Sequence, residues 1–298
     1  MSQVEVEILE TPIKSEGDKK EYRLIKLSNG LKALLIRKAE ENTSDGGESH
    51  ETLAAANLLV GVGSFDESPE IGGLAHFLEH MLFMGSEKYP EESGYNEFIS
   101  SNGGDNNAMT ENEYTTYFFE ITEKAFPEAL DRFAQQFISP LLLKDALQRE
   151  REAVDSEYQM ATANDSVRLD AFYKVFINES HPASFFDYGN LKTLKDNITD
   201  DDLYKAVREF FKKYIANIMY MSVQSNRSLD ELQELVVKNF SNIKSGEITS
   251  KAYQPVDEIF KPDFYEKIYF VKPRKEKKTL LLTWYLESIH KHYKCRPI

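Results

Sequence analysis

Two of the six histidines stand four residues apart in His76-Phe77-Leu78-Glu79-His80. On a helix this spacing leaves their side chains about 40° apart around the axis and roughly 6 Å apart along it, so both imidazoles can meet one ion. Glu79 lies on the flank of the same face. Neutral imidazoles suit zinc, and a carboxylate beside a metal that it does not bind can take a proton from water. The chemistry these types allow is metal-assisted hydrolysis, with His76 and His80 as ligands and Glu79 as general base. Phe77, Leu78, Met81 and Leu82 make most of the helix apolar, and ionisable groups in such a setting are costly to bury unless they pair or bind metal.

A third ligand is needed, and two candidates stand in Glu150-Arg151-Glu152-Ala153-Val154-Asp155-Ser156-Glu157. Glu150 and Glu157, seven residues apart, share a helix face within about 20° but lie roughly 10 Å apart along the axis, so they do not readily bind one ion together. Either completes a His₂Glu site whose fourth position is left to water, the layout of a catalytic zinc site, and the other can support a ligand from behind. Spacing alone does not choose between them.

Several elements must position these groups. Apolar residues at helical spacing predict a helix over Gly72 to Met84, with Gly85 able to end it. Further helices are expected at Glu91 to Ser101, Lys124 to Ile138, Lys144 to Met160, Asp165 to Val175, Asp201 to Tyr214 and Leu229 to Phe240. Ser28-Asn29-Gly30 between the apolar runs Leu24 to Leu27 and Leu31 to Ile36 predicts a hairpin. Strands are expected at Ala54 to Val62, Tyr114 to Ile121 and Met219 to Gln224. Two more, Lys267 to Val271 and Thr279 to Leu286, would be joined by the basic turn Lys272 to Lys278. Glu40 to Glu51 reads as a polar loop. Strands interleaved with helices, several of them sequential neighbours, predict an α+β fold whose sheet is covered by helices on one face.

The chain has 298 residues, 41% hydrophobic and 29% charged, enough to bury a substantial core. Its formal net charge of −14 excludes a nucleic-acid-binding surface over the whole chain. Residues 266–298 carry nine Lys/Arg against three Glu, a local +6, which leaves −20 on the rest. An acidic body of this kind steers basic ligands. Cys295 is the single cysteine, so no intrachain disulfide forms, which suits a reducing compartment. The first 22 residues have no apolar core of signal-peptide length and no window reaches the length of a membrane span, so the expected location is cytoplasmic.

Gly73-Leu74-Ala75-His76-Phe77-Leu78-Glu79-His80-Met81, followed by Arg151-Glu152-Ala153-Val154-Asp155-Ser156-Glu157, resembles the inverted-zincin M16 metallopeptidases, in the insulin-degrading enzyme and nardilysin branch. His-Phe-Leu-Glu-His-Met-Leu-Phe-Met-Gly-Ser and Asp-Ser-Glu-Tyr-Gln lean toward nardilysin. Ala129 to Gln135 also looks like this branch, and the similarity runs from about Tyr22 to Pro297. The resemblance implies one Zn²⁺ held by His76, His80 and Glu157, Glu79 activating water, and Glu150 supporting the site. It also implies that Asn107 and Ala108, at the start of the aromatic strand, offer an edge to substrate backbone, which fits recognition of peptides by strand addition.

The same resemblance makes residues 1–262 a zinc-binding catalytic domain and 263–298 the truncated start of a second M16-like domain. The expected function is a zinc metalloendopeptidase acting on peptides, at basic or dibasic sites. The acidic insertion known in nardilysins is short here, at Glu40 to Glu51. Family members also draw Arg and Tyr donors from further domains that this sequence does not hold. The alternative is therefore a catalytically weak zinc- and peptide-binding module that needs a complementary M16 half, or self-associates through an unpaired edge near Thr279 to Leu286.

Overall fold

A computed structural model of the chain describes residues 6–38, 52–248, 259–276 and 278–284. The chain divides into two compact units, one formed by residues 1–158 with 186–250, the other by 159–185 with 251–298.

The first unit is built on a mixed seven-stranded sheet. Its strands are β1 (Val6–Leu9), β2 (Glu21–Leu27), β3 (Lys32–Arg37), β4 (Leu53–Val60), β5 (Asp105–Thr110), β6 (Thr115–Thr122) and β7 (Met219–Ser225), in the spatial order β1-β2-β3-β7-β4-β6-β5. All neighbours are antiparallel except β3 and β7, which run parallel with Leu35 opposite Val223. The Asn-Gly hairpin forms as its sequence predicts. Gly30 takes the left-handed conformation (φ +94°) that the turn requires, and the buried Asn29 side chain donates to the carbonyls of Phe240 and Ile243.

Alternation along β4 sorts the faces: Ala54, Ala56, Leu58 and Val60 are buried, and the residues between them are only partly so. Helices cover the buried face. α1 (Leu74–Leu82), α2 (Gly94–Ser101), α3 (Phe126–Ile138), α6 (Asp200–Phe211) and α7 (Leu229–Phe240) lie in this unit, which also holds most of α4 (Leu147–Ala161). Pro127 occupies the first turn of α3, where its missing N–H costs nothing. Phe133 of α3 meets Phe119 of β6 and Phe137 edge to face, and Phe137 meets Tyr117 in the same way. The fold is α+β with a helix-covered sheet, as expected.

The second unit contains α5 (Asp165–Phe176), capped by the Asn164 side chain. Phe172 and Phe176 pack against Tyr269, and Phe176 also meets Phe264. Asp165 accepts the N–H groups of Arg274 and Lys275.

Three sequence expectations need correction. Residues 267–271 and 279–284 join no strand ladder among the described residues, and Ile268, Phe270, Leu280 and Trp284 are exposed. Their β-branched and aromatic residues favour a strand only where a partner pairs with it. Residues 285 and 286, the polar loop Glu40 to Glu51 and Cys295 lie outside the described residues. Asn107 and Ala108 are not at the start of the aromatic strand but within a strand of their own, β5, hairpinned to β6 with Ala108 opposite Tyr117. Val6–Leu9, for which the sequence predicts no strand, pairs with β2 as β1.

Candidate metal centre

α1 places His76 and His80 one turn apart, with ring centroids 5.0 Å from each other. α4 crosses their side. Glu157 Oε2 lies 3.4 Å from His76 Nε2 and Oε1 lies 3.6 Å from His80 Nε2. One ligand atom from each of these three residues falls within 4.8 Å of the others. A tetrahedral zinc with bonds of about 2.0–2.2 Å sets its ligand atoms about 3.4 Å apart. The two Glu157 oxygens stand at about that separation from the two Nε2 atoms, so the three side chains are grouped closely enough to hold a metal ion.

The other ring nitrogens are engaged elsewhere, which leaves both Nε2 atoms facing Glu157. His76 Nδ1 donates to the Tyr188 carbonyl at 2.7 Å, and His80 Nδ1 faces Glu150 Oε2 at 3.3 Å. A backbone carbonyl behind one imidazole and a carboxylate behind the other are the partners that fix the ring orientation of metal-binding histidines. The two glutamates that spacing left equivalent thus take different places. Glu157 stands between the two Nε2 atoms, and Glu150 stands one helix segment back, behind His80.

Charge follows the geometry. Burial disfavours charging of His80, but its hydrogen bonds to Glu150 and Glu157 outweigh this and raise it to about 9. Hydrogen bonds from His76 and His80 hold Glu157 well below the usual carboxylate range. Burial raises Glu79 above its ordinary value, opposed by a hydrogen bond from Thr110 and by the two histidines.

Local backbone features assemble the centre. A Cβ on Gly73 (φ +89°) would stand 2.2 Å from the Gly189 Cα, and one on Gly72 would stand 2.2 Å from the Phe186 carbonyl oxygen. Without side chains at these points the 186–189 segment lies directly on the start of α1, and Tyr188 reaches His76. α4 is anchored on its flank by Arg151, which donates to Asp200 at 2.7 Å, and by Asp155, which accepts the Leu191 N–H at 2.9 Å.

Tyr188, Thr110 and Glu67 were not marked in the sequence. Glu67 receives the Gly73 and Ala75 N–H groups at 2.8 and 2.7 Å, satisfying donors at the N-terminus of α1. It precedes the helix by too many residues to match a capping pattern. Burial pushes its carboxyl up from 4.5 to about 8, outweighing the two N–H donors. Between those pH values the folded metal-free protein keeps a proton that the unfolded chain has released, so this stabilising contribution is full below about pH 4.5 and is lost as pH rises through about 8. Urea unfolding of the metal-free protein should show wild type losing stability relative to Glu67→Gln across that window. Parallel pH profiles would remove Glu67 as the source.

The centre opens on a cleft of about 750 Å³ lined by Asn106 to Asn112, the outer part of β5 and its turn. The ionisable groups lining it are the two histidines and the carboxylates Glu79, Glu111, Glu150, Glu157 and Asp187. Asp105 and Asn107 cover the Asn106 and Ala108 N–H groups with their own side-chain oxygens, each at 2.9 Å.

Residues 47–184 match the family described as insulinase (peptidase family M16), and residues 201–297 match the peptidase M16 inactive domain. The chain is 39% identical to nardilysin of Rattus norvegicus over 266 residues, covering 88% of this chain and 23% of that protein. It is 37% identical to insulin-degrading enzyme of Homo sapiens over 287 residues, covering 95% of this chain and 27% of that protein. It thus spans about a quarter of the length of these relatives. The crystal structure of pitrilysin superposes with a TM-score of 0.75 at 33% identity, covering 85% of this chain and 26% of that one. A protease from Helicobacter pylori shares the fold, with a TM-score of 0.65 at 22% identity over 77% of this chain and 52% of that chain. With two adjoining matches to one family and relatives that share its sequence along most of its length, the chain belongs to the insulinase family, peptidase family M16.

Proposed function

We propose that the chain is a zinc metalloendopeptidase that cleaves extended peptides, with a preference for basic or dibasic sites. The grouping of His76, His80 and Glu157, whose ligand atoms lie within 4.8 Å of one another, is the observation that carries this reading. Zinc held there would polarise the scissile carbonyl and lower the pKa of water toward about 7. Glu79, buried on the same helix, takes the proton of the attacking water and returns it to the leaving amine. Glu150 and the Tyr188 carbonyl hold the two imidazoles in the ligating orientation.

β5 is the last strand of the sheet and lines the same cleft, so a peptide added to its free edge beside Asn107 and Ala108 would run past the histidines. The cleft's carboxylates, together with the net charge of −14, favour basic substrates. In this reading residues 1–262 form the catalytic domain and 263–298 begin a second M16-like domain. No helix among the described residues is long and apolar enough to cross a membrane, and a cytoplasmic location is part of the proposal.

The acidic lining also favours a second reading. Carboxylates repel a developing oxyanion, and loss of one oxyanion donor typically slows an enzyme about 10²- to 10³-fold. Such a cleft would bind zinc and peptide yet turn over slowly until a complementary M16 half supplies donors. Single-turnover cleavage of a quenched dibasic peptide by zinc-loaded protein decides between the two. Cleavage lost on chelation and slower on a peptide without basic residues is the expected result. Stoichiometric zinc and peptide binding without cleavage establishes the second reading instead.

A further inference from the structure

Thr110 ends β5, and its backbone pairs with Thr115 of β6. Thr115 is itself buried and fixed by a hydrogen bond from its hydroxyl to the Val62 carbonyl at 2.9 Å. The position of Thr110 is therefore set by the hairpin, and its β-branched side chain has little rotamer freedom. Its hydroxyl donates to Glu79 Oε2 at 2.5 Å, the length of a charge-assisted O–H···O⁻ bond. Among the described residues no other hydrogen bond reaches the Glu79 carboxylate. Glu79 reaches the cleft through a side chain with several torsions, and this contact holds one of its two oxygens.

We infer that Thr110 is a positioning residue for Glu79: its hydroxyl pins Oε2, leaves Oε1 for the water that is to be deprotonated, and ties the base to the strand on which peptide docks. This rests on the peptidase reading above and adds to it a coupling. A peptide paired along β5 stiffens the strand that carries Thr110, so occupation of the edge and orientation of the base become linked through one hydroxyl. Binding energy from substrate residues remote from the scissile bond is then used at the reacting centre.

The test compares Thr110→Val, which keeps the shape and removes the donor, with Thr110→Ser, which restores the donor. Thr110→Val should lower kcat by about 10- to 10²-fold, the effect of a misplaced catalytic group, with KM and zinc content nearly unchanged. Thr110→Ser should recover most of the loss. An infrared readout on metal-free protein is independent of turnover: the Glu79 carboxylate band, isolated by difference against Glu79→Gln, should shift in Thr110→Val and return in Thr110→Ser. Wild-type kcat in Thr110→Val, a Ser variant as impaired as Val, or an unshifted band would each overturn the inference. If the wild-type chain cleaves nothing, the peptidase reading falls by itself, and the infrared band still decides whether Thr110 holds Glu79.

Discussion

Glu79→Gln should reduce single-turnover peptide cleavage by about 10²- to 10⁴-fold, the usual contribution of a general base, while bound zinc stays at the wild-type level. The substitution is nearly isosteric, and the Gln carbonyl can still accept the Thr110 hydroxyl that now reaches Oε2 at 2.5 Å. The buried site of Glu79 on α1 should therefore remain packed, and what disappears is the capacity to take a proton. Zinc quantification beside the rate measurement separates this outcome from collapse of the centre. A variant that retains zinc and cleaves at the wild-type rate would assign the base to another group.

The second large effect distinguishes the two glutamates of α4. Glu157 faces both Nε2 atoms, at 3.4 and 3.6 Å, so on the proposed assignment Glu157→Ala takes away a ligand and should abolish stoichiometric zinc binding. Glu150 touches only the far nitrogen of His80, at 3.3 Å, and Glu150→Gln should retain zinc with affinity reduced about 10- to 100-fold. Thermal unfolding supplies a second measure. Zinc at 100 times its dissociation constant stabilises the wild type by about 2.7 kcal/mol, and the same addition should leave Glu157→Ala unmoved. Equal zinc affinities in the two variants would contradict the assignment.

The difference between these residues shows where sequence reasoning reached its limit. His76, Glu79 and His80 are legible because four-residue spacing and a helix fix their relative placement without help from the rest of the chain. Glu150 and Glu157 share one helix face, and their roles depend on which stretch of α4 lies beside the histidines. That is a matter of packing, settled by Arg151, Asp155 and the close approach of Gly73 to Gly189. β5 escaped notice for a different reason. Asp-Asn-Asn-Ala-Met-Thr is poor in strand-forming residues, and it is a strand because β6 pairs with it throughout. Thr110 and Tyr188 carry no local signal, since each acts on a residue far away in sequence, one through a hydroxyl and the other through its backbone. The apolar runs at 267–271 and 279–284 erred the other way, carrying strand propensity without a partner among the described residues.

The side-chain bonds along β5 bear on which proteins could ever be substrates. On the proposed reading, an incoming chain would have to displace the oxygens of Asp105 and Asn107 from the N–H groups they cover, so each new main-chain bond would replace one already made and yield little alone. Capture at such an edge has to accumulate over several residues of extended backbone, and a folded domain, whose strands are already paired, has none to offer. The guard that keeps this edge from aggregating with its own kind would thereby make unfolding of a target a condition for entry.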